Sequence, residues 1–426
     1  STIHITYPCF ARKVSIMVIN RHFFKGFFNF QEINPPSMQF PGLKIILIPF
    51  YPSSMPDDIY LNNPERLFEA LEKELSNPDK TVVVQIAPAV RVAIGEEFGY
   101  SPGEDLTGRT VGLLQQLGFD HVIDTPLGAD VNIYEEAYEI LHALERGDED
   151  YFPVFNSCCI GWRLYCSRTH ENVCKHISPI ASPHMISGSV AKHYLEKKLH
   201  KSKEEIVSIS IMPCTLKKYE TMERLPDGSK YVDYVLTTQE LADFAKRKGL
   251  DLKAVREGNF SEFLPGSSKD GVVFGVTGGL AEALLTTLAH ILDVEKEDEH
   301  YFRRDDSIKK RKVRLGKYNL DVVSVHGFAN LEKVLKEIES GEKYHFVEVM
   351  NCPYGCVGGP GQPLPPTEEK LRARAAGLRR AADSKKAFAT VPQENPTVQK
   401  LYRELLDRPG SETARRFLYF QKVKLK

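Results

Sequence analysis

The sequence predicts an α/β protein whose strand ends converge on one cleft, and three observations carry that reading. Past residue 40, short apolar runs alternate with amphipathic segments, the pattern of strands interleaved with helices. Three cysteine-bearing stretches each follow directly on an apolar run: Pro-Val-Phe-Asn-Ser-Cys-Cys at 153–159, Ser-Ile-Met-Pro-Cys at 210–214 and Phe-Val-Glu-Val-Met-Asn-Cys at 346–352. A fourth run, Val-Val-Val-Gln-Ile at 82–86, leads into Ala87-Pro88. Open α/β sheets bind ligands beyond the carboxyl ends of their strands, so four such ends can share one site.

The apolar runs predict strands at 44–49, 81–86, 153–155, 206–211, 271–274, 320–325 and 345–349. Helical periodicity marks 64–75, 132–144, 239–248, 279–292 and 329–340, and the chain after Pro363 reads as a helical wrap. The charged stretch 293–316, with its basic run 309–312, reads as solvated surface. The resulting organisation is a basic extension at 1–40, a main body at 41–363 and a C-terminal helical part at 364–426. The extension holds Arg12, Lys13, Arg21 and Lys25 and no acidic residue before Glu32, which fits either a transit segment or a poorly ordered start.

Composition narrows the function classes. In 426 residues, 56 basic side chains balance 57 acidic ones, so no global field points to nucleic acid or an anionic membrane. No apolar run is long enough for a membrane span. Eight cysteines stand at 9, 158, 159, 166, 174, 214, 352 and 356. A chain this long and this sparse in cysteine is not a disulfide scaffold, and adjacent Cys158–Cys159 with the Cys352/Cys356 pair suits metal or redox chemistry. A 4Fe–4S cluster takes about four thiolates, and Cys159, Cys214, Cys352 and Cys356 meet that count. Gly355, Gly358, Gly359 and Gly361 crowd the last pair, as expected where backbone approaches a cofactor. Cys9, Cys166 and Cys174 read as structural.

Three stretches resemble the signatures of the iron-only (FeFe) hydrogenases. Asn156-Ser157-Cys158-Cys159-Ile160-Gly161-Trp162 is similar to Thr-Ser-Cys-Cys-Pro-x-Trp. Met212-Pro213-Cys214-Thr215-Leu216-Lys217-Lys218-Tyr219-Glu220 follows Met-Pro-Cys-x-x-Lys-x-x-Glu throughout, and 348–363 follows the third signature except that Pro360 replaces a glycine. Ala87-Pro88, Gly128-Ala129-Asp130 with Glu135-Glu136, and Thr277-Gly278-Gly279 support the resemblance, which runs from about residue 40 to the C-terminus.

The resemblance implies two lobes of mainly parallel sheet flanked by helices, with a metal cluster in the cleft between them. It implies that Cys159, Cys214, Cys352 and Cys356 hold a 4Fe–4S cubane, and that Cys356 bridges to a di-iron subsite with carbon monoxide, cyanide and azadithiolate ligands. Lys217 and His184 would face cyanide, and Ala87, Pro88, Met212, Phe274 and Met350 would wall the pocket. Cys158 would pass protons to and from the bridgehead amine, continued by Glu136, Ser178 and Glu139. Relatives carry an arginine one turn beyond the outer glutamate, where this chain has Ala143 with His142 alongside. Asn156, Ile160, His184 and Pro360 all depart from the usual residues near the cluster.

The implied activity is reversible reduction of protons to hydrogen by a monomer served by ferredoxin or flavodoxin and built by maturation factors. The implied compartment is the cytoplasm, or an anaerobic organelle or plastid if the extension is a transit segment. Alternatives are a hydrogen-sensing or low-activity hydrogenase-like protein, or an iron–sulfur assembly scaffold of the same superfamily. The scaffold relatives lack the paired-cysteine motif, which this chain keeps at Cys158–Cys159.

Overall fold

The computed structural model describes residues 63–304, 307–384 and 389–420. The strand expected at 44–49, the basic extension and Cys9 lie outside them. Among the described residues are nine strands: β1 (Thr81–Ile86), β2 (His121–Asp124), β3 (Val154–Phe155), β4 (Ile206–Met212), β5 (Tyr234–Thr237), β6 (Lys296–Arg304), β7 (Ile308–Leu315), β8 (Tyr318–His326) and β9 (Phe346–Met350).

They form two sheets. The first is fully parallel in the order β2-β1-β4-β5, and the second runs β3-β9-β8-β7-β6. In the second, β3, β9 and β8 are parallel, while β7 and β6 add an antiparallel edge. Every residue of β1, β4 and β9 is buried. A parallel strand covered on both faces tolerates a continuous apolar run, and for that reason these strands stand out in the sequence.

Register delivers the motifs to one place. Thr81 pairs with Ile206 and Ile86 with Ile211, so Ala87-Pro88 and Pro213-Cys214 leave the first sheet side by side. The Ala87 amide donates to the Ile211 carbonyl at 3.0 Å. In the second sheet Phe155 pairs with Val347, which brings the Cys158–Cys159 turn beside the stretch leading to Cys352.

Several elements differ from the sequence expectation, β2, β5 and the helices Thr107–Gln116 and Ile160–Thr169 among them as elements it did not include. The run at 271–274, expected as a strand, belongs to a short helix, Lys269–Val273, whose first turn is closed by the Ser268 hydroxyl accepting from the Gly271 amide at 3.1 Å. A short apolar run cannot distinguish the two states by periodicity. The charged stretch 293–316 is a hairpin, β6 and β7, whose Ile308, Val313 and Leu315 are buried, and its basic run is only partly solvated: Lys309 donates to the Thr277 carbonyl, Lys310 pairs with Glu337 and Arg311 with Glu282 and Asp298. The helix expected at 132–144 spans Thr125–Arg146, opened by Pro126 in its first turn. The helix Pro183–Leu199 was not foreseen, because burial around most of its circumference leaves no polar face to set a period.

The C-terminal part packs on the main body through Arg374 of the helix Glu368–Asp383. Its guanidinium is fully buried and donates to Glu96 at 2.6 and 2.9 Å, to the Val357 carbonyl at 3.2 Å and to the Pro363 carbonyl at 2.8 Å.

The two long helices cross where Gly128 meets Pro183, and a Cβ there would stand 2.2 Å from the Pro183 carbonyl oxygen and 2.3 Å from Ser187 Oγ. Gly128→Ala is therefore expected to destabilise the fold by about 1–3 kcal/mol, the usual cost of overpacking. A urea titration checks it; an unchanged midpoint would show that the crossing relaxes freely.

Candidate metal centre

The candidate ligands come from both sheets. Cys214 follows β4 of the first sheet; Cys159 follows β3, and Cys352 and Cys356 follow β9, of the second. Glycines let the loops close on one another. Gly355 has φ +88°, and a Cβ there would lie 2.8 Å from both the Gly275 oxygen and the Thr277 nitrogen. A Cβ on Gly359 would lie 2.2 Å from the Pro213 oxygen. The Gly361 amide donates to Pro213 at 2.8 Å and the Cys356 amide to Gly275 at 2.9 Å, so the cysteine loops are tied across the seam.

The four thiols are neighbours. Burial first, and then the adjacent thiols, push Cys214 and Cys356 up to about 12 and Cys352 well above the ordinary thiol range. Four would-be anions gathered at partly buried positions are unfavourable until a cationic group deprotonates and joins them. Among the described residues no three metal-binding side chains close to single-ion spacing. Four neighbouring thiols presented by loops from both sheets suit a polynuclear cluster, whose thiolates sit on separate irons. The residues present fit the implied group.

Cys158 lies beside the cradle and packs in one buried cluster with Phe274, Met350 and Cys356. Its Sγ accepts from Asn156 Nδ2 at 2.9 Å, and Asn156 Oδ1 accepts from the Val349 amide at 2.6 Å, which pins the motif to β9. Asn156, one of the departures, thus both fixes the turn and touches the thiol. Burial, with Cys159 and Cys356 next, raises the Cys158 thiol far above its ordinary value. Ala87, Met212 and Pro88 are buried at the facing ends of β1 and β4.

Glu220 organises the first-sheet side. Its carboxylate accepts from Lys217 Nζ at 2.7 Å, from Ser182 at 2.8 Å, from Arg163 at 3.3 Å and from His184 Nε2. Burial works against the charge, but Lys217, His184 and Arg163 outweigh it and hold Glu220 well below the usual carboxylate range. Lys217 also donates to the Cys158 carbonyl at 2.8 Å, which commits two of its three N–H donors. His184 places both ring nitrogens within the protein, Nδ1 lying 3.1 Å from Ser210 Oγ. Burial pushes its pKa down while the Glu220 carboxylate opposes that shift. His184 thereby bridges Ser210 and Glu220 on the first-sheet side.

The carboxylates form a second group. Ser178 donates to Glu136 Oε2 at 2.8 Å, while Glu136 Oε1 is buried without a partner. Burial raises Glu136 to about 8, with Ser178 opposing and Glu139 and Glu135 adding. Glu139 accepts from the Tyr419 hydroxyl at 2.9 Å and pairs with Arg415. The guanidinium absent at Ala143 is thus supplied from the C-terminal helix Glu412–Leu418. His142 instead stacks on Tyr138, ring centroids 6.0 Å apart. Sequence reasoning missed the partnerships of Arg163, Arg415 and Tyr419. Glu220 stood within a quoted motif, whereas the other three carried no local signal.

A two-lobed α/β fold with four thiols gathered at the seam of its sheets defines an iron–sulfur protein architecture. Residues 80–360 match the family described as iron only hydrogenase large subunit, C-terminal domain, and residues 368–421 match iron hydrogenase small subunit. The chain belongs to the iron-only hydrogenase family. It is 38% identical over 373 residues to the NADP-reducing hydrogenase subunit HndD of Solidesulfovibrio fructosivorans, covering 85% of this chain and 63% of that relative. It is 36% identical over 302 residues to the periplasmic Fe hydrogenase large subunit of Nitratidesulfovibrio vulgaris, covering 70% of this chain and 72% of the relative. A structure of the FeFe-hydrogenase HydA1 from Chlamydomonas reinhardtii superposes with TM-score 0.73 at 31% identity, over 83% of this chain and 97% of that one. A cytosolic Fe–S cluster assembly factor of Danio rerio is also similar, 28% identical over 376 residues, covering 84% of this chain and 90% of that protein.

Anaerobic reconstitution with iron and sulfide is expected to load one cluster, about four irons and four sulfides per chain. Metal and sulfide analysis giving about eight of each would contradict it. A separate test concerns Glu136. The folded state holds its proton up to about 8, whereas an unfolded carboxyl releases it near 4.5. Stability contributed by this group is therefore lost as pH rises from about 4.5 to about 8. Glu136→Gln, neutral at every pH, should flatten that decline, gaining in melting midpoint over the parent at pH 8 relative to pH 5. Parallel pH profiles for the two proteins would place Glu136 in contact with water.

Proposed function

We propose that this chain is a hydrogenase that interconverts protons and hydrogen, with electrons from an external carrier such as ferredoxin or flavodoxin. The observation that carries the reading is the buried Cys158 thiol, set beside four cradle cysteines yet not required for their count. An assembly scaffold has no use for a fifth thiol at that position, whereas proton chemistry in a dry site needs a relay.

Cys159, Cys214, Cys352 and Cys356 would hold a 4Fe–4S cluster joined through Cys356 to a di-iron group with carbon monoxide, cyanide and azadithiolate, matured by dedicated factors. When bound, that group would pass on the carrier's electrons and supply the site at which hydrogen is made or split. Ala87, Pro88, Met212, Phe274 and Met350 exclude water from it with apolar and soft sulfur surface. Lys217, fixed by Glu220 and the Cys158 carbonyl, keeps a third N–H for an anionic ligand.

Cys158 carries the proton at its Sγ, a small polarisable donor that Asn156 orients. Glu136, poised at about 8, reaches both protonation states near neutrality, which a relay carboxyl must do. Ser178 bonds to it, and Glu139, paired with Arg415, forms the outer member. A second reading, a role in iron–sulfur assembly, is favoured by the similarity to the Danio rerio factor.

Cys158→Ala should keep iron content and the infrared bands of iron-bound carbon monoxide and cyanide while losing nearly all turnover. Glu136→Gln should reduce hydrogen evolution steeply, and Glu139→Gln less, because water can replace an outer carboxylate. Retention of most activity in Cys158→Ala would overturn its assignment. A fully loaded parent that evolves no hydrogen from a reduced carrier would favour assembly.

A further inference from the structure

Among the described residues, two cysteines lie outside both the cradle and the relay. Cys166 belongs to the helix Ile160–Thr169, which starts immediately after Cys159, and Cys174 closes the next short helix, Glu171–Cys174. The chain doubles back at His170 and sets the two sulfurs face to face. Their Sγ atoms are 3.0 Å apart, and each reaches the His170 carbonyl, at 3.5 and 3.6 Å. A disulfide bond is about 2.05 Å long, so a small approach separates this pair from bonding. Cys166 is buried and Cys174 is partly exposed, which gives the pair an inner and an outer member.

The turn holding them is braced. His170 Nε2 lies 2.7 Å from Glu332 Oε1, and the Tyr165 hydroxyl donates to the same oxygen at 2.6 Å. Tyr165 stacks on Phe328, ring centroids 4.2 Å apart. Downstream, the Phe155 amide donates to the His176 carbonyl at 2.9 Å and the Ser178 amide donates to Phe155 at 2.8 Å. The pair therefore sits on the one segment that begins at a candidate cluster ligand and ends at the serine bonded to Glu136.

We propose that Cys166 and Cys174 form a reversible disulfide, a two-electron thiol switch that stiffens the segment from Cys159 to Ser178. The oxidant is a low-molecular-weight disulfide. The exposed Cys174 sulfur attacks one sulfur of that reagent, forming a mixed disulfide and releasing the first small thiol. Cys166 then attacks the Cys174 sulfur, closing the intramolecular bond and releasing the second small thiol. Two protein thiols are oxidised, one small disulfide is reduced, and both thiol protons leave on the released thiols. The bond closes residues 166–174 into a ring, removing freedom from the unfolded chain. It needs no loaded cluster, and so stands or falls separately from the hydrogenase reading.

The test uses the full chain carrying its reconstituted iron and sulfide, held anaerobically with oxidised glutathione, then denatured and alkylated before digestion with trypsin without reductant. Cleavage after Arg163, Arg168 and Lys175 places the two cysteines on separate peptides, 164–168 and 169–175. The expected result is one linked peptide pair, the loss of two alkylatable thiols, and full reversal by dithiothreitol. The oxidised protein should also melt higher than the reduced one and exchange the amides of 166–178 more slowly. Cys174→Ser should lose the linked pair and the difference in melting. Recovery of both peptides separately alkylated, or either cysteine joined elsewhere, would overturn the proposal. So would a melting difference that persists in Cys174→Ser.

Discussion

Glu220 is the interaction on which the closed seam depends. It is an ionised carboxylate with no access to water, and it draws Lys217, His184, Ser182 and Arg163 onto one point. Those four residues come from the turn after β4, the helix Pro183–Leu199 with Ser182 just before it, and the helix that Cys159 opens. A buried charge is tolerated only when several donors share it, and removing one partner leaves the rest uncompensated. The second sheet has a smaller counterpart in Glu348. It accepts from the Gly278 and Ala281 amides at 2.9 and 3.0 Å and from Ser324 at 2.9 Å, fixing β9 to the helix Gly279–Leu292. The acidic residue in each of these motifs is thus a tether between elements, although the motif is recognised by its cysteines.

Much of this was legible in the sequence, for reasons that differ by element. The parallel strands β1, β4 and β9 announce themselves because both faces are covered, so apolar residues dominate each run even where Gln85, Ser208, Ser210 or Glu348 interrupts it. Cysteine stretches directly beyond such runs then point to one end of each sheet. What could not be read is whatever depends on partners far along the chain. Arg415 meets Glu139 from 276 residues away, and no local pattern marks it. The hairpin β6–β7 was hidden because its inward residues are spaced among lysines and arginines that dominate its composition. The run at 271–274 was misread because Ser268 and Gly271, rather than the valines, decide its conformation.

The departures near the cradle find their partners within the protein. Asn156 takes up the Val349 amide and the Cys158 sulfur together, a pair of bonds for which a branched hydroxyl lacks the second polar atom. His184 bridges Ser210 and Glu220 across the first lobe. Pro360 stands between Gly359 and Gly361, both held against Pro213 by backbone contacts that need no amide from residue 360. Nothing in the structure explains Ile160 beyond its burial.

The helix Glu412–Leu418 carries Arg415 to Glu139, and Tyr419 just beyond it reaches both Glu135 and Glu139. This helix is reached through the helix Glu368–Asp383, which Arg374 fastens to the body. Encounter between the guanidinium and the carboxylate is therefore intramolecular. Its occupancy is set by an effective concentration that the tether fixes, commonly in the millimolar range even for flexible links, and it does not fall on dilution. The ionic environment at the outer end of the carboxylate row is thereby independent of how much protein is present, and a cut in the chain between Arg374 and Arg415 would turn that constant into a variable.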